Sequence, residues 1–100
     1  MILELATIDV KPGMEPEFER AFGEARKILA AQPGHRANRL QRCIEAPNRY
    51  LLQVEWATLE DHTEGFRNSA DFARWRELVG PFFAASPNVV HYAAPLGSPA

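Results

Sequence analysis

Residues 54–83 read VEWATLEDHTEGFRNSADFARWRELVGPFF, and this stretch decides the fold. Val54 to Trp56 closes an apolar, strand-like run that begins at Arg49. Thr58 stands three residues before Asp61, a spacing that offers a hydroxyl to the free N–H groups of a helix start and an acid to its positive end. The short helix predicted there carries His62 and Phe66 one turn apart, on one side. Asn68 or Ser69 recaps the chain. Phe72, Trp75, Val79 and Phe82 then form one apolar stripe at helical spacing, ended by Gly80-Pro81.

Upstream, Ile2 to Val10 is rich in Ile and Leu and is stopped by Lys11-Pro12-Gly13, as a strand is stopped by a turn. Phe18, Ala21, Phe22, Ala25, Ile28 and Leu29 follow at helical spacing, with Glu17, Arg20, Glu24 and Lys27 opposite. Pro16 falls in the first turn, where its missing N–H has no partner to lose. Arg36 to Ala46 and Arg49 to Trp56 read as a hairpin across Pro47-Asn48, and Val89 to Ala93 as a last short strand. The order is β-α-β-β-α-β with its second helical part broken in two. That predicts an α+β, ferredoxin-like fold: one antiparallel four-stranded sheet with helices on one face.

Helices on one face leave the other to water, so an outer face should be polar in a monomer. Here Ile2-Leu3, Leu5-Ala6, Leu51-Leu52 and Val89-Val90 put apolar side chains on both faces. An exposed apolar sheet face is larger than a soluble monomer tolerates, and a twofold partner would bury it against its own copy. A homodimer through the sheet face is the expected assembly.

The segment from Val54 to Phe83, with Ile8-Asp9-Val10-Lys11-Pro12-Gly13 near the start and Val89-Val90-His91-Tyr92 near the end, resembles the antibiotic biosynthesis monooxygenase domain over about Ile2 to Ala93. The resemblance implies a dimeric α+β barrel, sheet packed on sheet, with the domain at residues 2–93 and a frayed tail at 94–100. It also implies two model activities. One is cofactor-independent oxidation of a phenolic, polyketide-like aromatic to a quinone; the other is oxygenative haem breakdown. The alternative to both is a non-catalytic dimeric module that binds a small molecule or serves in stress. The haem pattern asks for an Asn on the first strand, a Trp at the end of the short helix and a His in the last helix. This sequence has no Asn between Ile2 and Val10, Phe66 in place of the Trp, and Arg76 in place of the His, so haem loses its axial donor.

His62 is the candidate base, because an ordinary imidazole titrates near neutrality; the alternative is a half-buried His bonded to a carbonyl. Trp75 is either core packing or an aromatic wall whose N–H meets a phenol or quinone oxygen. Phe22, Asn38, Phe66, Phe82 and His91 complete the candidate binding set. His91 and Tyr92 are adjacent on a strand and point to opposite faces, in an order the sequence leaves open. His35 reads as a solvated loop residue and Cys43 as a small apolar strand residue.

The remaining numbers mainly exclude. One hundred residues, 46% hydrophobic and 24% charged, suit one globular domain. A formal charge of −2 offers no footprint for nucleic acid. A single cysteine allows no internal disulfide, no basic leader precedes the first apolar run, and no run reaches the ~18 apolar residues of a membrane span. A cytoplasmic chain without membrane contact is expected. There is no Gly-rich phosphate loop, His-Glu-x-x-His or Cys-x-x-Cys, so no metal or cofactor is expected, and the partner is a small aromatic molecule.

Overall fold

A computed structural model describes residues 1–97, so residues 98–100 of the expected tail lie outside the described part. Four strands, β1 (Ile2–Asp9), β2 (His35–Arg42), β3 (Arg49–Trp56) and β4 (Asn88–Tyr92), form one antiparallel sheet in the order β2-β3-β1-β4. Helix α1 (Glu15–Ala30) and helix α2 (Ala70–Val79) cover one face. Between β3 and α2 lies a short helical segment, Asp61–Phe66, wound as a π-helix. A single 3-10 turn, Gly80–Phe82, follows α2. The expected α+β arrangement is the observed one.

Strand alternation sorts the side chains. On β1, Ile2, Glu4, Ala6 and Ile8 face the helices, with β3 offering Tyr50, Leu52, Val54 and Trp56 on the same side. Most of these are fully buried with Phe18, Phe22, Ala25 and Leu29 of α1 and Val79 of α2. Each such apolar side chain contributes about 1.5–3 kcal/mol on burial. Leu3, Leu5, Leu51, Val90 and Tyr92 occupy the other face, where Val90 is 41% and Tyr92 56% exposed. Adjacent apolar pairs do point both ways, as their sequence spacing requires.

Caps and turns form where the sequence signals them. Thr58 and Asp61 bond reciprocally, Thr58 N–H to Asp61 Oδ2 at 3.1 Å and Asp61 N–H to Thr58 Oγ1 at 3.2 Å. Ser69 Oγ accepts from Phe72 N–H at 3.2 Å and starts α2. Gln32 donates to Asp71 at 2.9 Å and ties the end of α1 to the start of α2. The strands differ from expectation at two places. β2 ends at Arg42, because Cys43 N–H already closes the turn onto the Arg49 carbonyl at 2.7 Å. It also carries an irregularity between His35 and Ala37, which leaves Arg36 as the extra residue. His35 is therefore not a loop residue: it opens β2, lies edge-on to Trp56 with ring centroids 5.9 Å apart, and bonds Asn38 at 2.9 Å.

Candidate active site

The helices leave a cavity of about 880 Å³ over β1 and β4, a size suited to a drug-sized organic molecule. Ala6, Ile8, Leu52 and Val89 form its floor, and Phe66, Phe72, Trp75 and Phe83 its aromatic wall. Arg67, Arg76 and Glu77 also line it. One polar corner contains Glu4 and His62, only 5% and 4% exposed.

That corner is closely built. Glu4 is an inward position in the middle of an apolar strand. Its Oε1 accepts from the indole N–H of Trp56 at 2.9 Å and lies 3.4 Å from His62 Nε2. His62 Nδ1 shares a hydrogen bond of 2.8 Å with His91 Nε2, and the His62 ring stacks on Trp56 at 5.4 Å and 17°. The π-winding brings His62 there. Arg67 N–H reaches back five residues to the His62 carbonyl at 3.1 Å, and in that wide turn His62 and Phe66 both point inward. Such π-turns often occur at functional sites.

Burial sets the charge states. It pushes His62 down to about 4, with the nearby Arg67 and His91 adding to the shift. It also pushes Glu4 above the usual carboxylate range, against the Trp56 hydrogen bond and the Arg67 charge, which both act downward. Burial thus keeps the His62 ring uncharged at pH 7 and makes it a weaker proton acceptor than an ordinary imidazole. His91 is lowered too, first by burial and then by Arg67.

The cavity brings His62, Phe66 and Trp75 together. It does not bring in Phe22, Asn38 or Phe82. Phe22 points into the core beside Phe18 and borders a shallow groove with Arg26 and Arg42. Asn38 is on β2, the far edge of the sheet, bonded to Arg26 and His35. Phe82 packs edge-on against Phe18, because the 3-10 turn after α2 breaks the helical stripe and swings Phe83 into the wall instead. His91 faces inward behind His62, and Tyr92 faces outward. Glu4 and Trp56 are absent from the sequence-based set. For Glu4 a signal existed: it is the one charged residue among Ile2, Ala6 and Ile8 at alternate positions.

Trp75 holds a further clue. It stacks on Phe72 at 6.1 Å and meets Phe66 edge-on at 6.1 Å, yet its Nε1 is buried without a hydrogen-bond partner among the described residues. Nearly every buried donor in a folded protein is paired.

Residues 1–78 match the antibiotic biosynthesis monooxygenase family. The chain belongs to it. An uncharacterised Bacillus subtilis protein, YczJ, is 44% identical over 92% of this chain and 97% of its own length. A Bordetella bronchiseptica structure assigned to the same family is 45% identical with a TM-score of 0.91, covering 95% of this chain and 97% of that one. SnoaB, a cofactor-independent oxygenase from Streptomyces nogalater, shares the fold at 17% identity and a TM-score of 0.81, covering 99% of this chain and 97% of that one. Among the described residues, no helix is long and apolar enough to cross a membrane.

Proposed function

We propose that this family member is a cofactor-independent monooxygenase of a phenolic, polyketide-like aromatic, acting as a homodimer. The unpartnered Trp75 Nε1 carries the reading. A buried, unpaired donor costs about 1–3 kcal/mol, and a phenol or quinone oxygen in the cavity removes that cost. The wall of Phe66, Phe72 and Phe83 suits a flat ring system, and the His62–Glu4 corner supplies a place for a proton.

The substrate itself is the reductant. A base in the His62 corner takes the phenolic proton, and the electron pair spreads into the ring. O2 then adds at a ring carbon that bears hydrogen. As the O–O bond cleaves, the C–H bond at that carbon also breaks; one oxygen atom stays as the new carbonyl, and the other leaves as water carrying the returned phenolic proton and the proton from that carbon. A naphthol and O2 thus give a naphthoquinone and water, with all atoms and electrons accounted for. The name of the Streptomyces nogalater relative, a cofactor-independent oxygenase, supports this class of chemistry. Haem breakdown is disfavoured by Phe66 and Arg76, which stand where that activity asks for a Trp and an axial His. The outward Leu3, Leu5, Leu51, Val90 and Tyr92 support the dimer.

Oxygen uptake by the purified protein over a panel of hydroxyanthrones and naphthols tests the proposal. Uptake with equimolar quinone formation is expected. Binding of panel members without any uptake would leave a small-molecule-binding protein instead.

A further inference from the structure

Resting on that reading, the buried corner also says which atom accepts the proton. Both nitrogens of His62 already face protein groups, Nδ1 toward His91 at 2.8 Å and Nε2 toward Glu4 at 3.4 Å. An imidazole held this way has no lone pair to offer a molecule in the cavity. Glu4 differs. Among the described residues, only its Oε1 is engaged, by Trp56 at 2.9 Å and by the His62 contact, and Glu4 lines the cavity. We infer that the Glu4 carboxylate is the catalytic proton acceptor, with His62, His91 and Trp56 as the residues that position it.

The hydrogen bonds then run one way. His91 Nε2–H donates to His62 Nδ1, His62 Nε2–H points at Glu4 Oε1, and Trp56 Nε1–H donates to the same oxygen, which leaves Oε2 for the substrate. The phenol O–H bond breaks, its electron pair stays on the phenolic oxygen, and the proton forms an O–H bond with Glu4. Glu4 gives that proton back to the distal peroxide oxygen; as the O–O bond cleaves, the C–H bond of the oxygenated carbon breaks to leave the carbonyl, and its proton joins the departing hydroxide as water, so the reaction needs no net proton exchange with solvent. A carboxyl whose proton affinity is raised by burial suits this exchange better than an ordinary one. The charged and titratable groups around it are His62, His91 and Arg67.

The test is an anaerobic titration with 1,8-dihydroxyanthrone at a pH below the probe's own pKa. Tryptophan quenching reports binding, and the absorbance of the anthrone anion reports ionisation. Wild type is expected to quench and to develop the anion band. Glu4→Gln keeps an oxygen for the Trp56 N–H, and is expected to quench but show no band, with oxygen uptake slowed roughly 10²–10⁴-fold. Glu4→Asp should restore part of the band. His62→Gln keeps an N–H near Glu4, and should keep the band while shifting the pH at which it appears. An undiminished band in folded Glu4→Gln overturns the assignment and leaves the phenol reading standing. Loss of the band in His62→Gln without a shift, with Glu4→Asp equal to wild type, overturns it in favour of His62. Wild type that shows no quenching overturns the phenol reading, and the acceptor assignment with it.

Discussion

The Trp56 indole donates to Glu4 Oε1 at 2.9 Å, joining the end of β3 to the middle of β1 inside the covered face of the sheet. The bond lowers a carboxyl that burial raises. Trp56→Phe removes the donor and keeps a ring. It should cost about 1–3 kcal/mol where Glu4 is ionised, with a smaller difference once the pH falls below its raised folded pKa. Urea unfolding across a pH series measures this; a loss that does not change with pH would assign the cost to packing alone.

Trp75→Phe should behave in the opposite way. The substitution removes an unpaired N–H while keeping a ring against Phe72 and Phe66, so thermal stability should hold or rise. Affinity for a phenolic ligand should fall roughly tenfold, the worth of one hydrogen bond. Calorimetry with wild type and variant decides it. Unchanged affinity would mean that the indole is only packing.

Acid stability should reveal two opposing slopes. His62 has a folded pKa of about 4 against an ordinary 6.5, so its neutral form is favoured in the fold and stability is lost as pH falls from 6.5 toward 4. The shift corresponds to at most about 3 kcal/mol. Glu4 is raised, so its contribution is present in acid and is lost as pH rises through its folded pKa. Glu4→Gln should therefore steepen the fall in stability between pH 6.5 and 4.5, and His62→Asn should flatten or reverse it. Unfolding at fixed protein concentration across that range is the measurement. Parallel curves for all three proteins would show that neither group titrates with folding.

The π-segment is braced from a distance. Gly34 sits at φ 82°, and a Cβ there would collide with Asp61 Oδ2, the oxygen that caps Thr58. Gly34→Ala meets both the left-handed backbone penalty and this collision. It should destabilise by roughly 1–3 kcal/mol, and weaken ligand binding by displacing the segment that carries His62 and Phe66. A stable variant with normal binding would show that Asp61 gives way freely.

The outer face predicts assembly. Light scattering should give about twice the 11.2 kDa chain mass. Leu5→Glu or Val90→Lys, both on the outward side of the sheet, should shift the protein toward monomer with its secondary structure intact. A wild-type monomer would remove the reason for two-sided strands.

Sequence and structure agree where the physics is local. Thr58 with Asp61, Ser69, Pro16 and the adjacent apolar pairs each specify their surroundings within a few residues, and each is found as its pattern implies. The candidate site was half legible, for the opposite reason. His62 and Phe66 turn into the cavity together because their spacing in one short segment places them on one side, and Trp75 joins them from the apolar stripe of α2. Glu4, Trp56 and His91 meet them only through strand order, so alternation can mark Glu4 as an inward charge without showing that it reaches His62. Phe82 was displaced by Phe83 through a single 3-10 turn. Asn38 lies on the edge strand β2, with β3 between it and β1.

A strand that is apolar on both sides carries little information about its own alignment. Sliding β1 by one residue against β3 would exchange Leu3 and Leu5 for Glu4 and Ala6, and hydrophobicity alone would hardly object. What objects is the carboxyl. Slipped, Glu4 would lose the Trp56 indole and enter the surface proposed to meet a second copy, and Asp9 would part from Arg49, now 2.8 Å away. The acid read above as a chemical group is therefore also a register pin, which holds the sheet to one of two otherwise similar pairings.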